Sequence, residues 1–521
     1  MSDPTEVLIV GAGPSGLVLA CDLRRRGVKV RIVESRPSVP DATWGARGKA
    51  IQPRTMEIYD DLGIVDDFYA QGSSFFPAME WEQRRQLGES PLPRVEPRLP
   101  TFEAPHSSTW MVTQPEALKI LETLLHELGG AVEYSTRAIS FTQDDDGVEV
   151  VLTDPAGDEF TIRCDYLVGG DGAHGAIRPA TGVEFLTSAI DSSPMIAADV
   201  IVDGLPRTHW HQWNRDERGS LWLAPLPNSD YLQLYARYEG DTPDTTPDSI
   251  RTLVRERTGF EATHVRQSSS FGIRVGMAAS FRIGRVFLMG DAAHVHPPAG
   301  AQGMNTSVQD AYNLGWKLAA VIRHGASDEL LDTYDAERVP VAKRLLEFVE
   351  DVYRKWIGKN QEYTDADKRG DNLQLSLNYR GGPLAMESDS DAELQSGDRV
   401  PDALLRNADG APVRLFDLTR GPHFTLLAVD APLPEWVLHP PATDTLRSYR
   451  IIRSGRPGAE PSDIRDPYGF PSRRLGRGLA LIRPDGYLAV AGAGEDEVLT
   501  YLALCSDPTR LGAAAGGSVP V

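Results

Sequence analysis

Cysteine is scarce in this 521-residue chain: Cys21, Cys164 and Cys505 are the whole set. The count is odd and no CxxC or zinc-type spacing exists, so neither a disulfide framework nor a metal site is expected. The three read as small buried apolar residues in a reducing compartment. Positive charge is also in deficit, with 53 Lys and Arg against 74 Asp and Glu and a formal net charge of −21. Such a surface repels nucleic acid and anionic membrane, so neither is expected as a partner. No stretch approaches the roughly 18 consecutive apolar residues that a membrane-spanning helix needs. The start, MSDPTE, lacks the basic region of a secretory signal. A cytoplasmic protein is expected. With 41% hydrophobic and 24% charged residues, the composition is that of an ordinary globular chain, and the length suggests about three domains.

What is present begins at once. The stretch VLIVGAGPSGLVLACDLRRRGVKVRIVE reads as a short buried strand, an amphipathic helix stopped by Gly27, and a second strand ending in Glu34. Pro115 to Gly130 is a second clear helix. From about Phe185 to Phe281 the pattern is strand-like and rich in aromatics. GRVFLMGDAAH returns to a buried strand and a Gly-Asp turn, and SVQDAYNLGWKLAAVIRHG follows with helical spacing. A further helix is expected to kink or break at Pro340. A polar stretch leads into a strand-rich C-terminal region of about 110 residues.

Gly11, Gly13 and Gly16 form G-x-G-x-x-G between the first strand and helix. Gly11 permits the tight turn, Gly13 admits a pyrophosphate, and Gly16 lets helix and strand pack closely. The helix N-terminus offers free N–H groups to phosphate, and Glu34 lies where an acid accepts ribose hydroxyls. This cradle serves NAD and FAD alike. Two later turns favour a flavin: Asp171-Gly172, followed by Arg178, and Gly290-Asp291, followed by the loop PPAGAQGMN. An acid at a second strand end suits a ribityl chain, and backbone N–H groups of a loop entering a helix suit the flavin pyrimidine edge.

Taken together, GxGxxG, a DG turn and a GD turn in this order resemble the group A flavoprotein aromatic hydroxylases, the family of p-hydroxybenzoate and phenol hydroxylases, in its aromatic polyketide branch. The resemblance covers about Val7 to Trp356. It implies an α/β fold: a Rossmann-type FAD-binding domain (1–184 with 282–358), an inserted β-rich substrate domain (185–281), a linker or crossover (359–397), a thioredoxin-like C-terminal domain (398–511) and a disordered tail (512–521). It also implies site residues. Gly11, Gly13, Gly16 and Glu34 hold the ADP half of FAD, Arg47 reaches the pyrophosphate, and Gln114 lies near the ribityl chain. Asp291 binds the ribityl, Asp171 is associated with both FAD and NAD(P)H, often indirectly, and Pro297, Gly300, Gly303, Met304 and Asn305 line the flavin ring. The implied activity is NAD(P)H- and O2-dependent hydroxylation of a phenolic, polycyclic substrate through a flavin C4a-hydroperoxide. An oxidase or reductase, a Baeyer–Villiger oxygenase, and a non-catalytic flavin-fold scaffold stay open.

For the substrate wall, the aromatic-rich middle offers Trp210, His211, Trp213, Trp222, Tyr231 and Tyr235. Strand alternation groups Tyr231 with Tyr235. His211, His294 and His296 are the candidates for a base that deprotonates a phenol, with none assigned. Gln71 to Pro100 is read as a lid or plain surface. Oligomeric state is left open.

Overall fold

The computed structural model describes residues 5–40, 48–89, 98–214, 218–238, 240, 242–297, 301–357, 373–386, 391–438, 445–454, 460 and 462–507. Arg47, Gly300 and the tail 512–521 therefore lie outside the described residues.

The first sheet is built on the opening strand, Thr5–Val10. It pairs in parallel with Val30–Val33 on one side and Glu159–Gly169 on the other. Val286–Leu288 extends the parallel set beyond Glu159–Gly169. Helices flank these strands, so they are buried on both faces and need apolar residues at every position. Val7, Leu8, Ile9, Leu167, Val168 and Val286 to Leu288 are accordingly all inaccessible. The connecting helix, Pro14–Arg25, packs Leu17, Leu19, Ala20 and Leu23 into the same core. The chain thus leaves this sheet after Gly169 and comes back to it at Arg282, after building a second layer.

That second layer is an eight-stranded sheet dominated by two long antiparallel strands, Phe185–Val202 and Ala262–Ala278. It is not made from that interval alone. Within the proposed lid, Ala78–Glu82 and Arg85–Glu89 form a hairpin. The hairpin joins the sheet edge through a parallel pairing of Trp210 to Ala78 and Gln212 to Glu80. Part of the segment read as lid or surface is therefore sheet, which covers the otherwise open edge of Trp210–Trp213. Residues 90–97 of it lie outside the described residues. Ile250 and Val254 of the helix Pro247–Thr258 cover one face of the layer. Leu345, Val349 and Val352 of the helix Asp332–Ile357 cover the other at Met195 and Ile273. That helix runs through Pro340 without ending, contrary to the expected break; packing along its length outweighs one lost backbone hydrogen bond.

The third, seven-stranded sheet is mixed. Its strands Phe424–Val429 and Gly478–Ile482 pack Phe424, Leu426 and Leu481 against Trp316 and Ala320 of the helix Gly303–His324. Charge is buried at this seam. Arg483 Nη1 donates to Glu337 (2.6 Å), Lys317 Nζ donates to the same carboxylate (2.8 Å), and Trp316 Nε1 donates to Asp485 (3.1 Å). Of the expected linker, the described parts 373–386 and 391–397 lie against this framework. Gln374 bridges Gln302, Thr306 and Gln309 at the start of the long helix.

Candidate active site

The opening cradle shows what each glycine does. Gly11 has φ +106°, and a Cβ there would collide with the carbonyl of Gly170, where the first strand passes its parallel neighbour. A Cβ on Gly16 would strike the Gly11 carbonyl. Gly13 differs: a Cβ there meets nothing within 4 Å. Packing within the protein therefore does not require glycine at 13, whereas a phosphate approaching the helix start does. Gly13 is also the N-cap of Pro14–Arg25 and makes no side-chain cap, so that helix start presents free donors.

Glu34 follows the strand Val30–Val33. Its carboxylate accepts from Ala12 N (2.9 Å) and Arg36 N (2.9 Å), and pairs with Arg36 Nη2 (3.0 Å). Burial alone would raise its pKa; the hydrogen bonds and charge of Arg36 outweigh this and hold it below the usual carboxylate range. The group stays ionised beside the glycine turn.

Asp171 does not face outward. Its Oδ2 accepts from Ile177 N (3.1 Å), capping the short helix Ile177–Thr181, and burial raises its pKa against those backbone hydrogen bonds. The arginine of the same turn ties the two acidic turns together. Arg178 donates to the carbonyls of Ala173 (2.7 Å) and Ala292 (2.9 Å) and stacks over Phe185 (4.0 Å). Asp291 stands exposed on the tight turn Gly290–Ala292. Gly290, at φ +59°, lies so near Ser15 and Ser307 that a Cβ would sit 3.3 Å from one hydroxyl and 2.9 Å from the other. Thus the helix Pro14–Arg25, the Gly-Asp turn and the long helix Gly303–His324 meet at one point.

Asn305 holds the loop that enters this long helix. It accepts from Gln52 N (2.8 Å) and donates to the carbonyls of Ala50 (2.9 Å) and Ala301 (2.8 Å). The loop is thereby fixed to the two-residue strand Ala50–Ile51. Met304 packs on Gly48, Pro297 is buried, and the ring of His296 leaves no room for a side chain at Gly303. Gln302 is the N-cap of the long helix and makes no side-chain cap, so the positive end of this helix dipole faces the loop. Gln114 lies half-buried in the first turn of Gln114–Glu127.

Behind the loop runs a buried polar chain. His294 Nε2 donates to Asp310 Oδ2 (2.8 Å), which also accepts from Gly290 N (3.1 Å). Arg338 Nε donates to Asp310 Oδ1 (2.7 Å), and Arg338 Nη1 to Tyr379 (3.0 Å). Asp310 and Arg338 were not singled out from the sequence. Their only signal was a carboxylate and an arginine at otherwise apolar helical phases.

The middle sheet divides the six aromatic-wall candidates. Along Trp210–Trp213, His211 and Trp213 face the core beneath Pro247–Thr258, with Trp81 and Phe260. His211 accepts from Trp81 Nε1 (3.0 Å), donates to the Pro206 carbonyl (2.6 Å), and is pushed down to about 4 by burial. Neither residue can line a cavity, and His211 is corrected from candidate base to core residue. Cross-strand pairing puts Gln212, Trp222, Tyr235 and Ala197 together on the opposite face. Trp210, Gln233 and Asp199 share that face by alternation. Tyr231, just ahead of its strand, lies beneath Arg266 (4.2 Å). This face turns toward the cofactor-side domain, because Lys49, beside the strand Ala50–Ile51, sets its Nζ 5.2 Å from the Trp210 ring centre.

A single GxGxxG cradle, an acidic turn meeting it and a loop pinned below an aromatic sheet face define a class of protein: a flavoprotein oxygenase. Comparison agrees. Residues 4–349 match the family model described as FAD binding domain. The chain is 38% identical to a flavin-dependent monooxygenase of Mycobacteroides abscessus, across 95% of this chain and 99% of that one. It is 30% identical to pentachlorophenol 4-monooxygenase of Sphingobium chlorophenolicum, across 96% of each. Aklavinone-11 hydroxylase, solved in a ternary complex with FAD and aklavinone, superposes with a TM-score of 0.79 at 27% identity, covering 99% of this chain and 100% of that chain. The chain belongs to the FAD-binding-domain family and is a flavin-dependent monooxygenase. No helix among the described residues is long and apolar enough to cross a membrane.

Proposed function

We propose that this enzyme uses NAD(P)H and O2 to hydroxylate a phenolic ring, in a polycyclic substrate of the aromatic polyketide kind. The observation that carries the reading is the open space at Gly13 beside a free helix start, in a cradle whose other glycines are forced by packing. The residues fit FAD: Gly11, Gly13, Gly16 and Glu34 would hold its ADP half, and Asp291 its ribityl chain. Arg47 and Gln114 would support the pyrophosphate and ribityl, and Pro297, Gly300, Gly303, Met304 and Asn305 would border the ring. The chemistry FAD supplies when bound is hydride acceptance from NAD(P)H and activation of O2 for transfer of one oxygen atom.

The chain's own part is to hold, orient and keep dry. The N-terminus of the long helix, at Gly303, would favour negative charge at the ring edge through its dipole. Trp210, Trp222 and Tyr235 offer flat apolar surface to an aromatic substrate. The similarity to aklavinone-11 hydroxylase supports a polycyclic ligand, while the relative acting on pentachlorophenol keeps a single-ring phenol as the rival. The C-terminal sheet is read as thioredoxin-like, without redox activity: the three cysteines are free and buried, which also suits a reducing compartment.

The test is a screen of phenols with purified yellow protein, following NAD(P)H loss and product mass under labelled oxygen. One labelled oxygen in the product is expected. An unlabelled product would favour an oxidase, and a labelled lactone or ester a Baeyer–Villiger enzyme.

A further inference from the structure

Each of the three histidines already has a hydrogen-bond partner within the protein. His211 is a core residue, while His294 and His296 brace the loop through Asp310 and the Pro297 carbonyl. Yet the sheet face opposite that loop gathers buried polar atoms without hydrogen-bond partners among the described residues: Lys49 Nζ, Trp210 Nε1, Gln233 Oε1 and Gln267 Oε1. Lys49 is 6% exposed, Gln233 2% and Asp199 3%. Gln233 and Gln267 flank Asp199 on neighbouring strands. Native proteins leave few buried polar atoms unsatisfied, because each forfeits its water without compensation. Four on one face, beside a ring that Lys49 overhangs, form a set of donors and acceptors waiting for a polar ligand.

Resting on the hydroxylase reading, we propose that Lys49 is the group that takes the proton from a substrate phenol and holds the phenolate beside Trp210. Gln233 and Gln267 receive a second oxygen of the same ring system. In this step the phenol O–H bond breaks and an N–H bond forms on Nζ. A neutral amine and a neutral phenol become an ammonium–phenolate pair, and no electrons leave either partner. The phenolate ring is the more electron-rich and accepts oxygen more readily.

The surrounding charges permit it. Burial pushes Lys49 down to about 7, with Asp199 pulling the other way. Asp199 is already paired with Arg266 (2.7 Å), so it does not hold the amine protonated. Glu80, on the hairpin strand, is a second acid at this face, paired with Gln212 two residues beyond Trp210. On the loop side the neighbouring residue Gly48 lies against the thioether of Met304, and neither carries charge.

The test uses FAD-loaded protein and 1,8-dihydroxyanthraquinone, a dye whose hydroxyls are largely protonated in water at about pH 8 and whose phenolate absorbs beyond the oxidised flavin. Absorbance reports the bound form. Calorimetry in buffers of different ionisation enthalpy reports protons released. Wild type should bind the phenolate with close to no proton release, because the proton moves to Lys49. Lys49→Arg, already charged, should bind the phenolate and release about one proton per dye. Lys49→Met should bind the dye as phenol, roughly tenfold more weakly, with flavin content unchanged.

Three results would overturn the assignment: protonated dye in wild type, phenolate in Lys49→Met, or no dye binding at all. Should Lys49→Met fail to fold, the wild-type and Lys49→Arg proton counts decide alone; equal counts reject the role. A holoenzyme that ionises the dye but yields no oxygenated product from any phenol rejects the hydroxylase reading and leaves Lys49 standing.

Discussion

Two buried polar regions lie on either side of the loop that enters Gly303–His324, and they are built on opposite terms. Behind the loop, Asp310 accepts from His294, Gly290 and Arg338, so its charge is fully answered. In front, Lys49, Trp210, Gln233 and Gln267 each keep an atom without a partner among the described residues. The first arrangement pairs both carboxylate oxygens of Asp310 within the fold, with His294 Nδ1 its one atom left without a partner among the described residues. The second gathers four such atoms, as the proposed binding surface requires.

Perturbing the closed side should cost most. Asp310→Ala leaves Arg338 buried and uncompensated, and should lower unfolding free energy by about 3–5 kcal/mol; denaturant titration measures it, and a loss under about 1 kcal/mol would remove the contrast. The cradle is next. Gly13→Val should fold normally yet lower FAD affinity roughly a hundredfold, since only an approaching phosphate needs that space. Gly16→Ala should instead lower the melting temperature, because its Cβ strikes Gly11. Flavin absorbance and a thermal scan on the two variants separate these effects. Asp291→Asn should weaken FAD about tenfold, the worth of one charge-assisted hydrogen bond, with unfolding unchanged because the residue is exposed.

Acid sharpens the comparison. His211 has an ordinary value of 6.5 and is held near 4 by burial. Above 6.5 both folded and unfolded forms are neutral. As pH falls from 6.5 toward 4 the unfolded chain binds the proton first, and stability drops by up to about 1.4 kcal/mol per pH unit. His211→Gln should flatten the pH dependence of unfolding across that window. The smallest effect belongs to the open side: Gln233→Leu should leave stability unchanged or slightly raised, since an unanswered amide is removed, while KM for the phenolic substrate rises.

The cradle was legible because its signal is local. Glycine spacing, one helix and two apolar strands lie within about thirty residues, and Gly11 and Gly16 meet the contacts their spacing implies. The middle layer was harder. Alternation already separates Trp210 from His211 and Trp213, but both faces of that strand are buried, so nothing in the pattern says which one meets the core. The hairpin Ala78–Glu82 with Arg85–Glu89 was read as lid or surface because its partner, Trp210–Trp213, is more than a hundred residues away, and long-range pairing leaves no periodic trace. Lys49 was invisible for a different reason: lysine is among the residues least often buried, and only the fold reveals that this one is.

Arg178 has a further meaning for how such enzymes diversify. It stands just before the strand that begins at Phe185, and the Ala292 carbonyl it grips comes just after the return at Val286–Leu288. One guanidinium therefore closes the neck of the inserted segment that carries both long strands of the layer, from residues that belong to neither. The layer can be regarded as a cassette on a locked hinge pin: its ligand-facing surface is free to change across generations while the neck beneath it stays shut.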